Sequence, residues 1–378
     1  MANDVRQSAA DLLERTLGGV APKAVVGFDG FLDTITSAVD RRRSMAPDDY
    51  EPMRAIGALG GRISGAAGRS ANIELRAREV RGGGNGPLLA GALAALGVEV
   101  TLIGALGREG ESESIDPAYG EVASLCARVV SIAPSARTDA LEFDDGKIMF
   151  NWSANLDVVD WDLLSEKVPP ETLREMCGAA DLLATINWTN VGGLGSIWEG
   201  LCEHVLRPLR ADAPRLFVDL SDPAKRGDDE IRAMLEQLRL FPAAVPVALG
   251  LNIAEAERLR AMLGIGDVLI KRAPGAMADA ACGLREATAL DVVVLHTRGA
   301  VAAADRSGGV SLETRIVEHP VLSTGAGDHF NGGYNAGRIL GLPLAESLAC
   351  GCDAASRFVR TGRRPTREEL IAELGTPL

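Results

Sequence analysis

A glycine turn that ends in an acid is the part of the sequence best suited to chemistry. It consists of Gly325, Ala326, Gly327 and Asp328. The Ala- and Gly-rich segment after it, Tyr334 to Leu340, predicts a helix, and a helix start offers unpaired N–H groups and a positive dipole end to a phosphate. A carboxylate there would weaken simple anion binding, so we predict that Asp328 is a general base for a hydroxyl that attacks a phosphoryl group. The alternative is a glycine-rich helix C-cap with a solvated aspartate.

A second candidate is the pair Asn252 and Glu255, which opens a predicted helix after a strand over 245–251. The spacing of three residues places both side chains on one helix face. Their oxygens could hold water around Mg²⁺, which prefers oxygen ligands. The same spacing also forms a capping box at a helix start, and spacing by itself favours that interpretation.

Two further acids, Asp29 and Asp33, close the first apolar run of the chain. We predict that residues 23–33 form a buried strand that ends in a loop carrying both acids. Acids at the carboxyl end of a parallel strand lie where open α/β sheets bind ligands. The alternative is that both are turn-forming aspartates.

These residues must be positioned by strands and helices that alternate along the chain. Apolar runs predict strands at 98–104, 182–186, 216–220, 245–251 and 292–295, with helical patterns between them. This alternation predicts a mostly parallel sheet with helices on both faces. Residues 70–80 and 140–150 instead alternate apolar and polar side chains, which predicts a small separate sheet. The region 40–69 is interpreted as a helix with loops.

The composition limits the classes of protein and partner. The chain has 378 residues, 47% of them hydrophobic, and a formal net charge of −13 with a pI near 4.9. This length allows one large α/β domain or two smaller ones. The negative field disfavours nucleic acid as a partner, and it means that a nucleotide site needs local donors and a metal ion.

The cysteines and the apolar runs bear on location. Six cysteines are scattered without a C-x-x-C pair, as expected for buried thiols in a reducing cytoplasm. No apolar run suits a signal peptide or approaches the roughly 18 residues of a membrane span. We therefore expect a cytoplasmic protein with no membrane partner.

The glycine turn resembles the second signature of the ribokinase-like (PfkB) carbohydrate kinases, D-T-x-G-A-G-D-x-F. Residues 325–328 and Phe330 match, whereas Leu322 and Ser323 replace the Asp-Thr pair. The loop at Gly83 and Gly84 resembles the first signature, G-G-x-x-x-N before an Ala-rich helix.

Other parts of the chain resemble the same family. Asn85 stands where sugar-kinase members often carry Asn or Lys, and Leu88 replaces the downstream asparagine. The N-x-x-E of Asn252 and Glu255 is similar to the family's Mg²⁺ and phosphate motif. Residues 296–300 occupy the place of its Leu-Gly-x-x-Gly nucleotide loop, with His296 instead of the first glycine.

The resemblance implies a ribokinase-like three-layer α/β fold in a single domain over 1–378, with a small β lid from strands near 70–80 and 138–152. The open face of such a lid often forms a homodimer. The activity implied is an ATP- and Mg²⁺-dependent kinase that phosphorylates a hydroxyl of a sugar or sugar-like molecule. The alternatives are a nucleoside kinase, since the Asp-Leu-Ser-x-Pro run at 219–223 resembles the adenosine-kinase branch, or a binding protein without catalysis.

The resemblance also assigns roles to residues. Asp328 is the base, and the N–H groups of 325–327 stabilise charge on the phosphoryl group. The residues implied in substrate binding are Asp33, Asp29, Gly83, Gly84 and Asn85. The nucleotide contacts implied are Asn252, Thr297 and Gly299, with Glu255 as the magnesium residue.

Overall fold

Strands and helices alternate along most of the chain. The structure is a computed structural model that describes residues 2–209, 213–267 and 269–377. The strands are β1 (Lys23–Gly27), β2 (Phe31–Arg42), β3 (Tyr50–Pro52), β4 (Leu75–Gly83), β5 (Glu99–Gly104), β6 (Gly107–Arg108), β7 (Glu111–Ile115), β8 (Arg128–Ser131), β9 (Ala136–Phe143), β10 (Gly146–Trp152), β11 (Leu182–Ile186), β12 (Arg215–Asp219), β13 (Val247–Asn252), β14 (Val292–His296), β15 (Ala300–Asp305) and β16 (Gly308–Glu313).

The helices lie mainly between these strands. They are α1 (Ala2–Arg15), α2 (Ile56–Gly65), α3 (Asn85–Ala95), α4 (Gly120–Leu125), α5 (Trp161–Lys167), α6 (Pro170–Gly178), α7 (Leu194–Gly200), α8 (Arg207–Leu209), α9 (Asp228–Arg239), α10 (Ile253–Leu263), α11 (Pro274–Thr288), α12 (Ala326–Ile339), α13 (Leu344–Thr361) and α14 (Arg367–Leu374). A π-helical segment, Leu201–Leu206, joins α7 to α8.

The main sheet is mostly parallel, as predicted. Within the described residues its order is β16-β15-β14-β13-β12-β11-β1-β5-β8. The strands from β14 to β8 run parallel, and β15 and β16 add an antiparallel edge. The chain begins at β1 and continues to β5 on one side, whereas β11 lies on the other side. This change of direction opens a crevice at the carboxyl ends of β1 and β11, where open α/β sheets bind ligands.

Helices cover both faces of this sheet and make the three-layer arrangement. Successive strand residues point to opposite faces. Val25 belongs to the buried cluster that contains residues of α5, α6, α7, α9, α10 and α11, whereas Val26 belongs to the cluster that contains residues of α1, α3, α12, α13 and α14. Both valines are buried, and burying a side chain of this size contributes about 1.5–3 kcal/mol. The apolar runs in the sequence therefore correspond to strands that are buried on both faces.

A smaller sheet, which we call the lid, contains β2, β3, β4, β9 and β10. The central strand β2 pairs antiparallel with β4 and parallel with β9, and β9 pairs with β10 in a hairpin. The predicted strands near 70–80 and 138–152 are therefore present. Helix α2 packs on one face of the lid, where Leu59 meets Leu141.

Two predictions about the first 70 residues were partly wrong. The strand predicted within 23–33 covers Lys23–Gly27, and Asp29 lies in the loop after it as expected, but a second strand, β2, starts at Phe31. Asp33 therefore lies within a lid strand and not in a loop. The chain passes from β1 of the main sheet to β2 of the lid through Gly30. A side chain at Gly30 would overlap the Ala105 carbonyl, so this close passage requires glycine. Residues 40–69 contain the end of β2 and β3 before the short helix α2.

Candidate active site

The predicted anion site lies at the start of α12. Gly325 caps this helix with a positive φ of 86°, which glycine adopts without strain. The N–H of His329 is bonded to the Gly325 carbonyl at 3.0 Å, while the N–H of Ala326 reaches the Ser323 carbonyl at 3.3 Å. Ala326 and Gly327 line an adjoining cavity of about 560 Å³. The glycine turn therefore opens a helix, as predicted, beside a space that could hold a ligand.

Asp328 lies in the first turn of α12 with only 6% of its surface exposed. Burial raises the pKa of its carboxyl group to about 8, and the nearby charge of Asp29 adds to that effect. The Asn85 amide opposes it, because its Nδ2 donates to Asp328 Oδ1 at 2.9 Å. The raised pKa makes the ionised carboxylate a stronger proton acceptor than an exposed aspartate, which suits a general base.

Asn85 is the residue that holds Asp328. The Ser221 hydroxyl donates to Asn85 Oδ1 at 2.9 Å, so the Asn85 Nδ2 faces the Asp328 carboxylate. Ser221 and its neighbour Asp222 both adopt left-handed backbone conformations, with φ of 60° and 65°. Such conformations are strained for non-glycine residues and often occur at functional sites. The structure therefore brings Asn85, predicted to bind substrate, into direct contact with Asp328.

Asp29 is enclosed by the protein. Its carboxylate accepts hydrogen bonds from the backbone N–H groups of Asn85 and Gly86 and from the Asn187 amide, at 2.9, 2.7 and 2.8 Å. None of its surface is exposed. These contacts join β1, α3 and β11 at the crevice and satisfy the first N–H groups of α3. The geometry thus favours a structural role for Asp29 over the predicted contact with substrate.

Asp33 is half-buried on the lid strand β2. Thr138 of β9 lies beside it on the same face and donates a hydrogen bond, while burial raises the pKa of the carboxyl group. Gly83 packs directly against this carboxylate, and a side chain there would overlap it. Gly84 takes a positive φ of 98° at the start of α3. Both glycines are therefore needed for the close approach of β4 to Asp33 and for the turn into α3.

Asn252 and Glu255 form the capping box that their spacing favours. The Glu255 N–H donates to Asn252 Oδ1 at 3.1 Å, and the Asn252 N–H donates to Glu255 Oε2 at 2.8 Å. Glu255 Oε1 also accepts from the Asp222 N–H at 3.0 Å. In the described part of the chain, no group of three or more His, Cys, Asp or Glu side chains is arranged to hold a metal ion. The two residues thus cap α10, and a magnesium role remains a proposal.

The acids around Glu255 lie close enough for the charge of one to raise the pKa of another. Burial and the charges of Glu255 and Asp328 raise the pKa of Asp219. The Asn331 amide partly offsets this by donating to Asp219 Oδ2 at 2.9 Å. Burial likewise raises the pKa of Glu255. Such a group of buried acids favours a cation nearby, because a positive charge would stabilise their ionised forms.

The cavity beside α12 has the size of a small-molecule site. Asn252 and Thr297, both predicted nucleotide contacts, line it. Gly299 holds the shape of the loop, since its N–H donates to Thr297 Oγ1 at 3.1 Å. The structure thus brings Asn252 and Thr297 to the same cavity as the glycine turn.

His296 lines the same cavity, and its sequence context predicted no role for it. Its ring lies against Phe330 with centroids 5.1 Å apart, next to Gly327. Burial lowers the pKa of its imidazole to about 4, so the ring is neutral at physiological pH. The replacement of a family glycine by histidine was the signal that could have pointed to it.

The comparisons with known proteins decide the family. The chain matches the model of the prokaryotic ketohexokinase family over residues 2–376. It belongs to the prokaryotic ketohexokinase family. A ketohexokinase from Haloferax volcanii is 32% identical over 374 residues, which cover 98% of this chain and 94% of that protein. Membership in this family confirms the predicted class, an ATP-dependent sugar kinase.

Solved structures show that this chain has the ribokinase fold. The structure of Arabidopsis thaliana ribokinase with ribose and ATP matches 95% of this chain and all of that chain, with a TM-score of 0.64 and 17% identity. A Methanocaldococcus jannaschii nucleoside kinase matches 94% of this chain and 99% of its own, with a TM-score of 0.60 and 14% identity. These likenesses confirm the predicted three-layer fold. Among the described helices, none is long and apolar enough to cross a membrane.

Proposed function

We propose that this kinase transfers the γ-phosphoryl group of ATP to a primary hydroxyl of a ketohexose such as D-fructose, with Asp328 as the general base. The observation that carries the proposal is the buried Asp328 carboxylate in the first turn of α12, beside a cavity that Ala326 and Gly327 line. The match to the ketohexokinase family over nearly the whole chain supports the choice of sugar.

The proposed reaction is a single displacement at phosphorus. The sugar hydroxyl gives its proton to Asp328 while its oxygen forms the new bond to the γ-phosphorus. The bond from that phosphorus to the bridging oxygen breaks, and ADP leaves with the electron pair. The N–H groups of Gly325, Ala326 and Gly327 stabilise negative charge on the transferred group at the positive end of the helix dipole. The Ala326 N–H exchanges its long bond to the Ser323 carbonyl for a phosphoryl oxygen.

The sugar is bound between the lid and the crevice in this proposal. Asp33 accepts hydrogen bonds from sugar hydroxyls, and Gly83 leaves the room that its carboxylate needs. Gly84 shapes the turn, while Asn85 orients the base and lies within reach of the reacting hydroxyl. Asp29 supports this arrangement by accepting hydrogen bonds from the backbone N–H groups of Asn85 and Gly86.

Mg²⁺ fits the residues on the nucleotide side. Asn252 lines the cavity, and Glu255 lies in a group of buried acids whose pKa values are raised by burial and mutual repulsion. We propose that these two residues hold the ion through water, since their oxygens suit a hard cation. The ion would neutralise charge on the ATP phosphates. Thr297 and Gly299 would contact the nucleotide.

The lid and the thiols support two further parts of the proposal. Phe150 and Trp152 are 47% and 65% exposed on the lid, and an apolar face of this kind suits a homodimer contact. The six cysteines are free, as expected in the cytoplasm, where we place the protein.

The test is ADP production from Mg-ATP with D-fructose, other hexoses and nucleosides as acceptors. We expect turnover with a ketohexose and its loss in Asp328→Asn. Asp144→Asn, which changes an exposed lid acid paired with Arg54, is the matched control and should remain active. Turnover with nucleosides instead would favour the nucleoside kinase, and an active Asp328→Asn variant would refute the role of the base.

A further inference from the structure

Lys147 extends from the lid to the glycine turn of the main domain. It lies on β10, and its ammonium group contacts the Thr324 hydroxyl. Thr324 directly precedes the proposed anion site at 325–327. The two residues are 177 positions apart, so this contact joins the lid to the start of α12.

The strand register places Lys147 on the same lid face as Asp33. Asn151, which shares a face with Lys147 because it lies four residues along β10, pairs with Thr138. Thr138 in turn pairs with Asp33 on β2. The positive charge of Lys147 is close enough to Asp33 to oppose the rise in pKa of that carboxyl group. Lys147 therefore lies between the proposed sugar-binding acid and the proposed anion site.

A cation from the lid would offset negative charge in the crevice. Burial raises the pKa values of five acids around it, Asp29, Asp33, Asp219, Glu255 and Asp328. A phosphoryl group in transfer adds further negative charge to this acidic surrounding. A fixed cation next to that group stabilises the transition state, because it contacts the phosphoryl group during transfer and not in the separate reactants.

Of the three arginines that line the nucleotide cavity, Arg272, Arg298 and Arg315, the last two are held by other groups. Arg298 donates to the Val317 carbonyl at 3.2 Å. Arg315 donates to the carbonyls of Thr376 and Pro377 at 2.8 and 2.9 Å. Lys147, by contrast, is exposed and bonded to a hydroxyl that a phosphate oxygen can replace.

We propose that Lys147 is a catalytic residue that binds the phosphoryl group during its transfer from ATP to the sugar. This inference rests on the proposed function. Lys147 remains an ammonium throughout, since the proton of the sugar hydroxyl goes to Asp328. The lid thereby supplies a catalytic charge as well as a cover, and transfer requires the lid strand β10 to lie over the glycine turn.

The test compares Lys147→Met with Lys147→Arg in the full chain. The methionine keeps the length of the side chain and removes its charge. We expect kcat with Mg-ATP and D-fructose to fall by about 100-fold, the usual effect of losing one donor to a developing charge. The arginine should keep at least about a tenth of kcat, because it restores the cation. Arg41→Met is the matched control: it removes a charge from the lid strand β2 at an exposed residue paired with Glu51, and it should keep the wild-type rate.

Binding measurements separate this role from sugar binding and from a structural effect. Titration calorimetry should give the same Kd for D-fructose in wild type and Lys147→Met. The Kd for ADP with magnesium and aluminium fluoride in the presence of D-fructose, a mimic of the group in transfer, should rise at least about 50-fold. A Lys147→Met enzyme that keeps more than a third of kcat, or that loses only D-fructose affinity, would overturn the inference. If the wild-type enzyme showed no turnover with Mg-ATP and D-fructose, or if Asp328→Asn were active, the proposed function itself would be rejected.

Discussion

Asn85 Nδ2 donates to Asp328 Oδ1 at 2.9 Å, across 243 positions of sequence. The bond joins the start of α3 to the start of α12, so the two glycine-containing turns meet at one carboxylate. The hydroxyl of Ser221, which follows β12, donates to the other atom of the amide, Asn85 Oδ1. The proposed base is thus oriented by two elements that belong to different parts of the main sheet.

Replacing Asn85 by Leu should move the acid limb of the pH profile to higher pH. The amide stabilises the ionised Asp328 carboxylate, so its loss raises a pKa that already lies at about 8. A hydrogen bond to a charged group is worth about 1.5–3 kcal/mol, which corresponds to about one to two pH units. The measurement is kcat/KM for D-fructose between pH 6 and 10. Ser221→Ala is the control and should produce a smaller shift in the same direction; an unchanged midpoint in Asn85→Leu would contradict the assignment.

Asp328→Asn should be more stable than wild type, and the gain should increase with pH. The carboxyl group ionises near 3.8 when unfolded and at about 8 when folded. Because the folded pKa is raised, the contribution of Asp328 to stability is present below the unfolded pKa and is lost as pH rises through 8. We therefore expect a larger increase in Tm at pH 8.5 than at pH 4.5. An equal change at both pH values would show that burial does not raise the pKa as described.

Asp29 and Asp33 should respond differently to replacement by alanine. Asp29→Ala leaves the N–H groups of Asn85 and Gly86 and the Asn187 amide without their acceptor, so we expect a loss of about 3 kcal/mol or more of unfolding free energy. Asp33→Ala should instead raise KM for D-fructose at least about tenfold with a change in Tm of a few degrees. Urea unfolding and steady-state kinetics on both variants test this, and a reversed pattern would exchange the two roles.

Gly83→Ala should weaken sugar binding while ATP binding stays unchanged. The added methyl group overlaps the Asp33 carboxylate and must displace it. We expect KM for D-fructose to rise at least about tenfold at an unchanged KM for ATP. Gly60→Ala in α2 is the matched control, because a side chain there meets open space; it should keep both constants and gain up to about 1 kcal/mol of stability. Equal effects of the two substitutions would argue against Asp33 as the sugar-binding acid.

Trp152→Glu should dissociate the proposed homodimer. Phe150 and Trp152 share the face of β10 opposite to Lys147, since side chains alternate along a strand. Placing a charge in a buried apolar contact is unfavourable, so light scattering should give the mass of one chain for Trp152→Glu and of two chains for wild type. Val20→Glu, at a 96% exposed residue, is the control and should remain dimeric. A monomeric wild type would refute the dimer.

Much of the fold follows from local patterns. Apart from the first run over 23–33, the apolar runs, the hairpin near 140–150 and the glycine turn at 325–328 correspond to the elements that they predict. The start of β2 at Phe31 was missed because only three residues, Phe28, Asp29 and Gly30, separate it from the end of β1 at Gly27. Only the packing of Gly30 against Ala105 separates them.

The sequence by itself determined the family, through motifs that occur along the whole chain. It also determined the order of strands and helices and the presence of an acid at a helix start, because each of these depends on residue types within one short segment. The tertiary structure decided which acid is enclosed and which lies on the lid, namely Asp29 and Asp33. It also decided that Asn85 meets Asp328 and that Lys147 reaches Thr324. These contacts depend on sheet register and on the crossing of distant strands, and a periodic pattern within one segment carries no information about the side chain it will face from another.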